Sequence, residues 1–169
     1  MSADAFQIRR LSADDAAVYR DIRLEGLRVN PEAFGSTFEV ESTKPLTFFA
    51  ERLASCDVLG AFRGTELVGV AGLLYRQGLK EAHKAYLWGM YVRAAARRFG
   101  VGRGLIVALV EIARRRVELL QLSVVSENVG ARRLYESFGF VEYGVEKNAL
   151  KQDGRCYDEV LMAKDLRAN

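Results

Sequence analysis

A glycine-rich turn constrains the fold of this chain more than any other segment. Residues 97–104 read Arg-Arg-Phe-Gly-Val-Gly-Arg-Gly, and they lie between an apolar segment at 85–92 and an amphipathic one at 105–113. Glycine permits tight backbone conformations, and a helix start presents unpaired N–H groups with a partial positive charge. With arginines nearby, this glycine turn is suited to a phosphate or pyrophosphate, and a plain tight turn with solvated arginines is the alternative.

Two other glycine motifs do not fit the turn. A P-loop needs Lys followed by Ser or Thr after its last glycine, whereas Gly104 is followed by Leu105 and Ile106. A dinucleotide fingerprint has the pattern G-x-G-x-x-G, and here the third glycine comes one place early. The turn also follows a hairpin pattern instead of the first strand of a βαβ unit. These mismatches argue against nucleotide hydrolysis and nicotinamide binding.

The pattern of apolar residues predicts a mixed sheet crossed by helices. Ser12 and Asp15 have the spacing of a capping box before the first helix, and Asn30-Pro31 ends that helix. Predicted strands cover 6–10, 58–62, 67–75, 85–92, 119–125, 140–145 and 156–164, and predicted helices cover 13–29, 47–54, 105–113 and 128–137. Residues 31–45 are expected to be irregular. Antiparallel strands followed by crossover helices indicate the α/β (α+β) class.

Composition excludes several function classes. The 169 residues fit one domain spanning 1–169, and the formal net charge of +3 is only mildly basic. Cys56, Cys156 and the single His83 provide neither a zinc-ligand spacing nor a motif for a cysteine nucleophile, so no metal is expected. No apolar run approaches the roughly 18 residues of a membrane span, and residues 1–10 lack a signal-peptide core. We therefore expect a cytoplasmic protein without a membrane partner.

Two motifs resemble those of a known family. The pattern Arg97-x-x-Gly100-x-Gly102 resembles the (Gln/Arg)-x-x-Gly-x-(Gly/Ala) signature of the GNAT N-acetyltransferases. Downstream, Asn128, Ala131, Tyr135 and Gly139-Phe140 are similar to the family pattern N-x-x-A-x-x-x-Y-x-x-x-G-F. Both motifs occur in the family's order, and the resemblance covers nearly the whole chain.

The resemblance implies a fold and a co-substrate. The fold is a mostly antiparallel sheet of about seven strands, splayed between strands four and five and flanked by about four helices. Acetyl-CoA would place its pantetheine arm in the splay and its pyrophosphate on the glycine turn, with no metal. The implied cofactor-binding residues are Met90, Tyr91, Val92, Arg97, Arg98, Phe99, Gly100, Val101, Gly102, Arg103, Gly104, Asn128, Ala131 and Tyr135.

The implied reaction is attack of an amine on the thioester carbonyl. The backbone N–H of Met90 or its neighbour is the expected oxyanion donor, and Tyr135 the expected acid for the leaving thiolate. A core aromatic is the alternative reading of Tyr135. The base stays open between Glu39 or Glu41, His83 and a water-relayed path, because strand 85–92 carries no carboxylate.

The acceptor side is expected to involve Phe34, Glu39, Glu41 and Trp88. Two glutamates would suit a cationic acceptor, which could be a small amine, an antibiotic, a peptide N-terminus or a lysine. Trp88 and Tyr91 would lie on opposite faces of a regular strand, unless a bulge intervenes. Whether another acyl-CoA is preferred stays open, as does a homodimer.

Two rival functions remain. A non-catalytic acyl-CoA-binding regulatory or sensor module would keep the glycine turn without turnover, and the missing strand-four carboxylate favours it. A nucleic-acid binder would use Arg114-Arg115-Arg116, but the interleaved basic and aromatic residues of an RNA platform are absent. We therefore expect no nucleic-acid partner.

Overall fold

The structure is a computed structural model that describes residues 6–167. Seven strands and five α-helices follow one another along this range. In chain order they are β1 (Gln7–Arg10), α1 (Ala16–Val29), α2 (Phe38–Ser42), α3 (Leu46–Ser55), β2 (Asp57–Arg63), β3 (Glu66–Tyr75), β4 (Lys84–Val92), α4 (Val101–Arg114), β5 (Leu119–Val125), α5 (Val129–Ser137), β6 (Val141–Gln152) and β7 (Arg155–Asp165).

The strands form one mixed sheet with the order β1-β2-β3-β4-β5-β7-β6. Every neighbouring pair is antiparallel except β4 and β5, which are parallel. The parallel pairing covers only Lys84–Tyr86 against Leu119–Gln121, and beyond it the two strands separate. The predicted fold class, with its splay between strands four and five, is confirmed.

Helices cover the two faces of this sheet with separate apolar clusters. On one face α4 buries Leu105, Ile106 and Leu109 against Leu87 and Leu120. These α4 positions recur at helical spacing and form one stripe. On the other face α1 and α3 bury a second cluster that includes Tyr19, Ile22, Phe49, Leu53, Val58 and Val70. Each fully buried large side chain contributes about 1.5–3 kcal/mol, so the two clusters hold the helices against the sheet.

A bulge in β4 changes which residues share a face. Tyr91 pairs with Val70 and Trp88 pairs with Gly72, so Gly89 and Met90 lie opposite the single residue between those partners. Gly89 adopts a φ of +63°, a conformation that glycine takes without strain. Trp88 and Tyr91 consequently both pack against the cluster under α1 and α3. The opposite-face arrangement of a regular strand is therefore wrong here, because the extra residue resets the alternation.

Helix α4 begins earlier than predicted. The glycines suggested a start at Leu105, but the helix starts at Val101 after Gly100, which has a φ of +80°. Val101 is buried in the core, and packing outweighs the low helix propensity of glycine. A Cβ on Gly104 would come within 2.9–3.0 Å of Ile8 and Phe6. Gly104 thus lets α4 approach the N-terminal strand closely.

Two other segments are more regular than predicted. The segment 31–45 contains α2, whose start is capped by the Thr37 hydroxyl accepting from the Val40 N–H at 3.3 Å. Strand β6 continues to Gln152 and meets β7 through a turn at Asp153-Gly154, where both residues have positive φ. Much of β6 is exposed, so it lacks the apolar alternation that marks a strand.

Within residues 6–167, no helix is long and apolar enough to cross a membrane. No group of three or more His, Cys, Asp and Glu side chains in the same range is arranged to hold a metal ion.

Candidate active site

The separation of β4 from β5 opens a cleft of about 990 Å³, here named the β4–β5 cleft. Because the two strands no longer pair beyond Tyr86 and Gln121, peptide groups along their facing edges are left without partners in the sheet. The lining comes from five parts of the chain: residues 30–34, residues 87–92 of β4, the glycine turn with the start of α4, residues 123–128 and residues 130–135 of α5. An extended ligand with amide groups could continue the sheet in this gap.

One end of the β4–β5 cleft is formed by the start of α4. Arg98 and Gly100 have φ values of +68° and +80°, and Gly100 caps the helix. The Gly104 N–H donates to the Gly100 carbonyl at 2.9 Å, so the N–H groups of the preceding residues in this first turn have no partner inside the helix. Successive N–H groups that converge in this way form an anion-binding concavity.

Arginines give this end of the cleft a positive charge. Arg97 fastens the glycine turn to β4, since its Nε donates to the Val92 carbonyl at 2.9 Å and its guanidinium to Asn30 Oδ1 at 3.3 Å. Arg98 and Arg103 also line the cleft, and neither forms a salt bridge within residues 6–167. The Arg103 guanidinium lies 5.0 Å above the Phe138 ring. Two uncompensated cations therefore flank the helix start, which suits a polyanion.

Tyr135 lies on α5 in the wall of the β4–β5 cleft. Its side chain is 6% exposed, and its ring packs edge-on against Phe140 at 5.7 Å between centroids. Burial and, to a smaller degree, Tyr86 raise the pKa of the Tyr135 hydroxyl. The phenol thus keeps its proton at neutral pH, as a general acid must.

The predicted oxyanion donor and Asn128 also line the cleft. Met90 lies in the β4 bulge and has no partner in the β3–β4 register. Its role as an oxyanion donor stays a prediction. Asn128 caps α5, with its Oδ1 accepting from the Ala131 N–H at 3.1 Å. This bond leaves the two N–H donors of the Asn128 amide for another partner.

The structure divides the residues expected on the acceptor side. Phe34 and Trp88 line the β4–β5 cleft, whereas Glu39 and Glu41 do not. Glu41 is 2% exposed and accepts two hydrogen bonds from Arg23, at 3.0 and 2.8 Å, and a third from Arg52 at 3.2 Å. The short helix α2 turns Glu41 towards α1 and α3. Its carboxylate holds the fold there instead of facing an acceptor.

Glutamine at position 41 should destabilise the protein. The change leaves the buried Arg23 guanidinium without its counter-charge, and breaking a buried pair on one side typically costs about 3 kcal/mol or more. We expect E41Q to lower the free energy of unfolding by about 3 kcal/mol in urea titrations. Glu39→Gln, on the exposed side of the same helix, should change it by less than about 0.5 kcal/mol.

The cost of E41Q should depend on pH. Burial alone would raise the pKa of Glu41, but the hydrogen bond and charge of Arg23, with the charge of Arg52, outweigh burial and lower it. A carboxyl whose pKa is lowered by folding stabilises the protein when the pH is above the ordinary pKa of that carboxyl. This stabilisation is lost as the pH falls through the lowered pKa. The difference in free energy of unfolding between E41Q and the unmodified protein should therefore become smaller below about pH 4. A difference that stays constant down to pH 2 would contradict this role for Glu41.

The remaining predicted residues have separate placements. Arg97, Arg98, Gly100, Val101, Gly102 and Arg103 line the cleft with Tyr91, Val92 and Ala131. Phe99 and Gly104 belong to the same turn but lie outside the cleft lining, and a Phe99 contact with the co-substrate stays a prediction. His83 is exposed just before β4.

Sequence reasoning missed two polar residues beside the cleft. Tyr86 donates from its hydroxyl to Ser123 Oγ at 2.6 Å, and Ser123 lines the cleft. The two residues are on parallel strands at the point where β4 and β5 separate. The sequence feature that could have pointed to Ser123 is the presence of a serine inside the apolar strand at 119–125.

Solved structures share this fold. A ribosomal-protein-alanine N-acetyltransferase from Brucella melitensis is 28% identical, with a TM-score of 0.82 over 94% of this chain and 99% of that chain. A GNAT-family acetyltransferase from Streptococcus pneumoniae is 20% identical, with a TM-score of 0.84 over 95% and 99%. The yncA protein from Salmonella typhimurium, solved with its cofactor acetyl-CoA, is 23% identical, with a TM-score of 0.82 over 96% and 94%.

Sequence comparisons add the family. A comparison with curated proteins found no match. The model of the acetyltransferase (GNAT) family matches residues 18–140, which hold the glycine turn, β4, β5 and all the residues that line the β4–β5 cleft. The chain therefore belongs to the GNAT acetyltransferase family.

Proposed function

We propose that this protein is an N-acetyltransferase that moves the acetyl group of acetyl-CoA to a primary amine by direct attack. The single observation that carries the proposal is the β4–β5 cleft, which joins two open strand edges to the cationic start of α4. Peptide groups at the edges suit the two amides of pantetheine, and N–H groups with two free arginines suit a diphosphate. Neither of the other ligand classes, a hydrolysed nucleotide or a nicotinamide dinucleotide, needs both the open strand edges and the cationic helix start.

The chain supplies residues for each part of acetyl-CoA. The first turn of α4, with Arg98 and Arg103, would hold the diphosphate, and the β4 backbone at Met90 and Val92 would hold the pantetheine arm. The Asn128 amide would contact the same arm. Once bound, acetyl-CoA supplies an activated acetyl group. We also propose that residues 1–169 form one domain that acts in the cytoplasm.

Two groups of the chain would assist the transfer. The Met90 N–H, in the unpaired bulge, would stabilise negative charge on the thioester oxygen as the amine nitrogen bonds to the carbonyl carbon. The Tyr135 hydroxyl would give its proton to the sulfur as the carbon–sulfur bond breaks. Its raised pKa keeps that proton available in the resting protein.

An acceptor panel tests the proposal. Acetyl-CoA-dependent thiol release should be followed with a peptide that carries a free N-terminal alanine, a lysine peptide, free amino acids, a polyamine and an aminoglycoside. The alanyl peptide is included because the 28%-identical Brucella protein is named for alanine acetylation. We expect release with at least one amine, and an acetylated product by mass spectrometry. Acetyl-CoA binding without release across the panel would instead favour a sensor module.

A further inference from the structure

A carboxyl group lies behind the serine of the β4–β5 cleft. Glu159 on β7 pairs in register with Val125 on β5. Paired residues project to the same face of a sheet, and so do residues two apart on one strand, so Glu159 shares its face with Ser123. On that shared face the Ser123 hydroxyl lies close enough to lower the pKa of the Glu159 carboxyl, since a hydroxyl donor favours the charged form.

The hydrogen bond from Tyr86 leaves the hydroxyl proton of Ser123 available for another partner. Tyr86 donates to Ser123 Oγ at 2.6 Å, which occupies one acceptor position of the serine. The serine proton is then free to point at Glu159, and the second lone pair of Oγ is free to face the cleft. Tyr86, Ser123 and Glu159 thus follow one another on one face of the sheet from β4 through β5 to β7, and the row ends on a carboxylate.

Glu159 differs from an ordinary surface glutamate. It is partly buried in the sheet, and burial raises its pKa, while Ser123 lowers it and the charge of Glu146 raises it. Glu146 faces it from the register-paired position on β6. The net effect is a raised pKa, closer to the range of a working base than that of a solvated carboxyl.

Other charged and titratable groups surround the Tyr86, Ser123 and Glu159 side chains. Tyr143 on β6 accepts a hydrogen bond from Gln121 at 3.2 Å and influences Tyr86. The Arg76 guanidinium lies 5.6 Å above the Tyr86 ring. Glu32 belongs to a turn at residues 31–33 that packs across β5 and β6 and lines the cleft. Among these groups, Glu159 is the carboxyl that interacts with the Ser123 hydroxyl.

We propose that Glu159, acting through Ser123, removes the proton from the acceptor ammonium before the amine attacks. This inference rests on the proposed function and supplies the base that β4 lacks. Ser123 takes one proton from the ammonium and passes its own proton to the Glu159 carboxylate. The products are a neutral amine, an unchanged serine and a neutral carboxylic acid, so charge and atoms balance.

Three variants test the relay with acetyl-CoA and the panel amine that reacts fastest. Glu159→Gln keeps the size of the side chain but not its basicity, and should lower kcat/KM about 100-fold. Ser123→Ala should cause a loss of similar size. The matched control is Glu142→Gln, on the opposite face of β6 in an ion pair with Arg132, which should stay within about threefold of the unmodified enzyme. An E159Q loss below threefold, with an active unmodified enzyme, overturns the relay and leaves the proposed function standing.

The pH profile separates a relay from a purely structural role. Activity should fall as the pH drops through the pKa of Glu159, since only the carboxylate accepts a proton. Glu146→Gln removes a like charge, so the acidic limb of the kcat/KM profile should move to lower pH. A limb that does not move overturns the assignment.

A carboxyl titration tests Glu159 without any acceptor. With ¹³C-labelled glutamate side chains, the resonance that disappears in E159Q identifies this residue in the NMR spectrum. It should titrate above the ordinary value of about 4.3 in the unmodified protein, and lower in E146Q than in the unmodified protein. Titration at or below the ordinary value overturns the relay. No turnover with any panel amine overturns the proposed function and the relay together.

Discussion

Replacing Tyr135 with phenylalanine is expected to lower kcat about 1,000-fold while acetyl-CoA affinity stays within about threefold. The hydroxyl is the only group removed, and its raised pKa keeps it protonated as a proton donor across the assay range. Without it, the thiolate must leave without a positioned acid. Thiol-release kinetics measure the first effect and calorimetry with acetyl-CoA measures the second.

The folded state should tolerate the Tyr135 change. The hydroxyl donates to no other residue within 6–167, and the ring contact with Phe140 is kept by phenylalanine. We expect the Tm to move by less than about 3 °C, which corresponds to about 1 kcal/mol. Tyr157→Phe, stacked on Arg155 at 4.7 Å, is the matched control and should leave kcat unchanged. Normal turnover by Y135F would remove Tyr135 from the mechanism.

Aspartate at position 102 is expected to weaken acetyl-CoA binding about 1,000-fold. Gly102 lies in the first turn of α4 and lines the cleft. A carboxylate about 4 Å from a phosphate charge costs about 4 kcal/mol near a protein surface, which corresponds to that loss of affinity. The free protein should not be destabilised, because a negative charge at a helix N-terminus is favourable. Calorimetry and thermal melting together separate the two effects.

Alanine at position 102 provides the control. A Cβ there would meet Leu134 at 3.5 Å and Val92 at 3.9 Å, which are ordinary contacts, so no clash is expected. G102A should bind acetyl-CoA within about fivefold of the unmodified protein, and alanine is also a better helix former than glycine. Equal binding by G102D and G102A would show that the diphosphate lies elsewhere.

Local sequence signals predicted the order of the seven strands and the four longer helices, but they missed α2 and some boundaries. The capping pair Ser12 and Asp15 is present, with the Ser12 N–H donating to the Asp15 carboxylate at 2.8 Å. The start of α4 was placed too late because glycine propensity is a local property, whereas burial of Val101 and the approach of Gly104 to β1 depend on the rest of the chain. The bulge at Gly89 likewise depends on how β4 pairs with β3.

For the candidate site as well, the sequence predicted the local features but not those that depend on distant residues. The glycine turn and α5 could be predicted from the sequence because each contains a contiguous motif with a fixed spacing. The buried position of Glu41 depends on Arg23 and Arg52, which come from two other helices. The Tyr86, Ser123 and Glu159 side chains lie on three strands that are far apart in sequence. A single sequence does not show which of many polar residues the sheet brings together.

Calorimetric titration of the unmodified protein with acetyl-CoA measures whether the β4–β5 cleft is the co-substrate site. If the start of α4 and the open edges of β4 and β5 form the co-substrate site, one molecule should bind per chain with a Kd in the range of about 1 μM to 1 mM. Free coenzyme A should compete for the same site, because it carries the same diphosphate. If well-folded protein binds neither the thioester nor the free thiol, the β4–β5 cleft is not a site for coenzyme A.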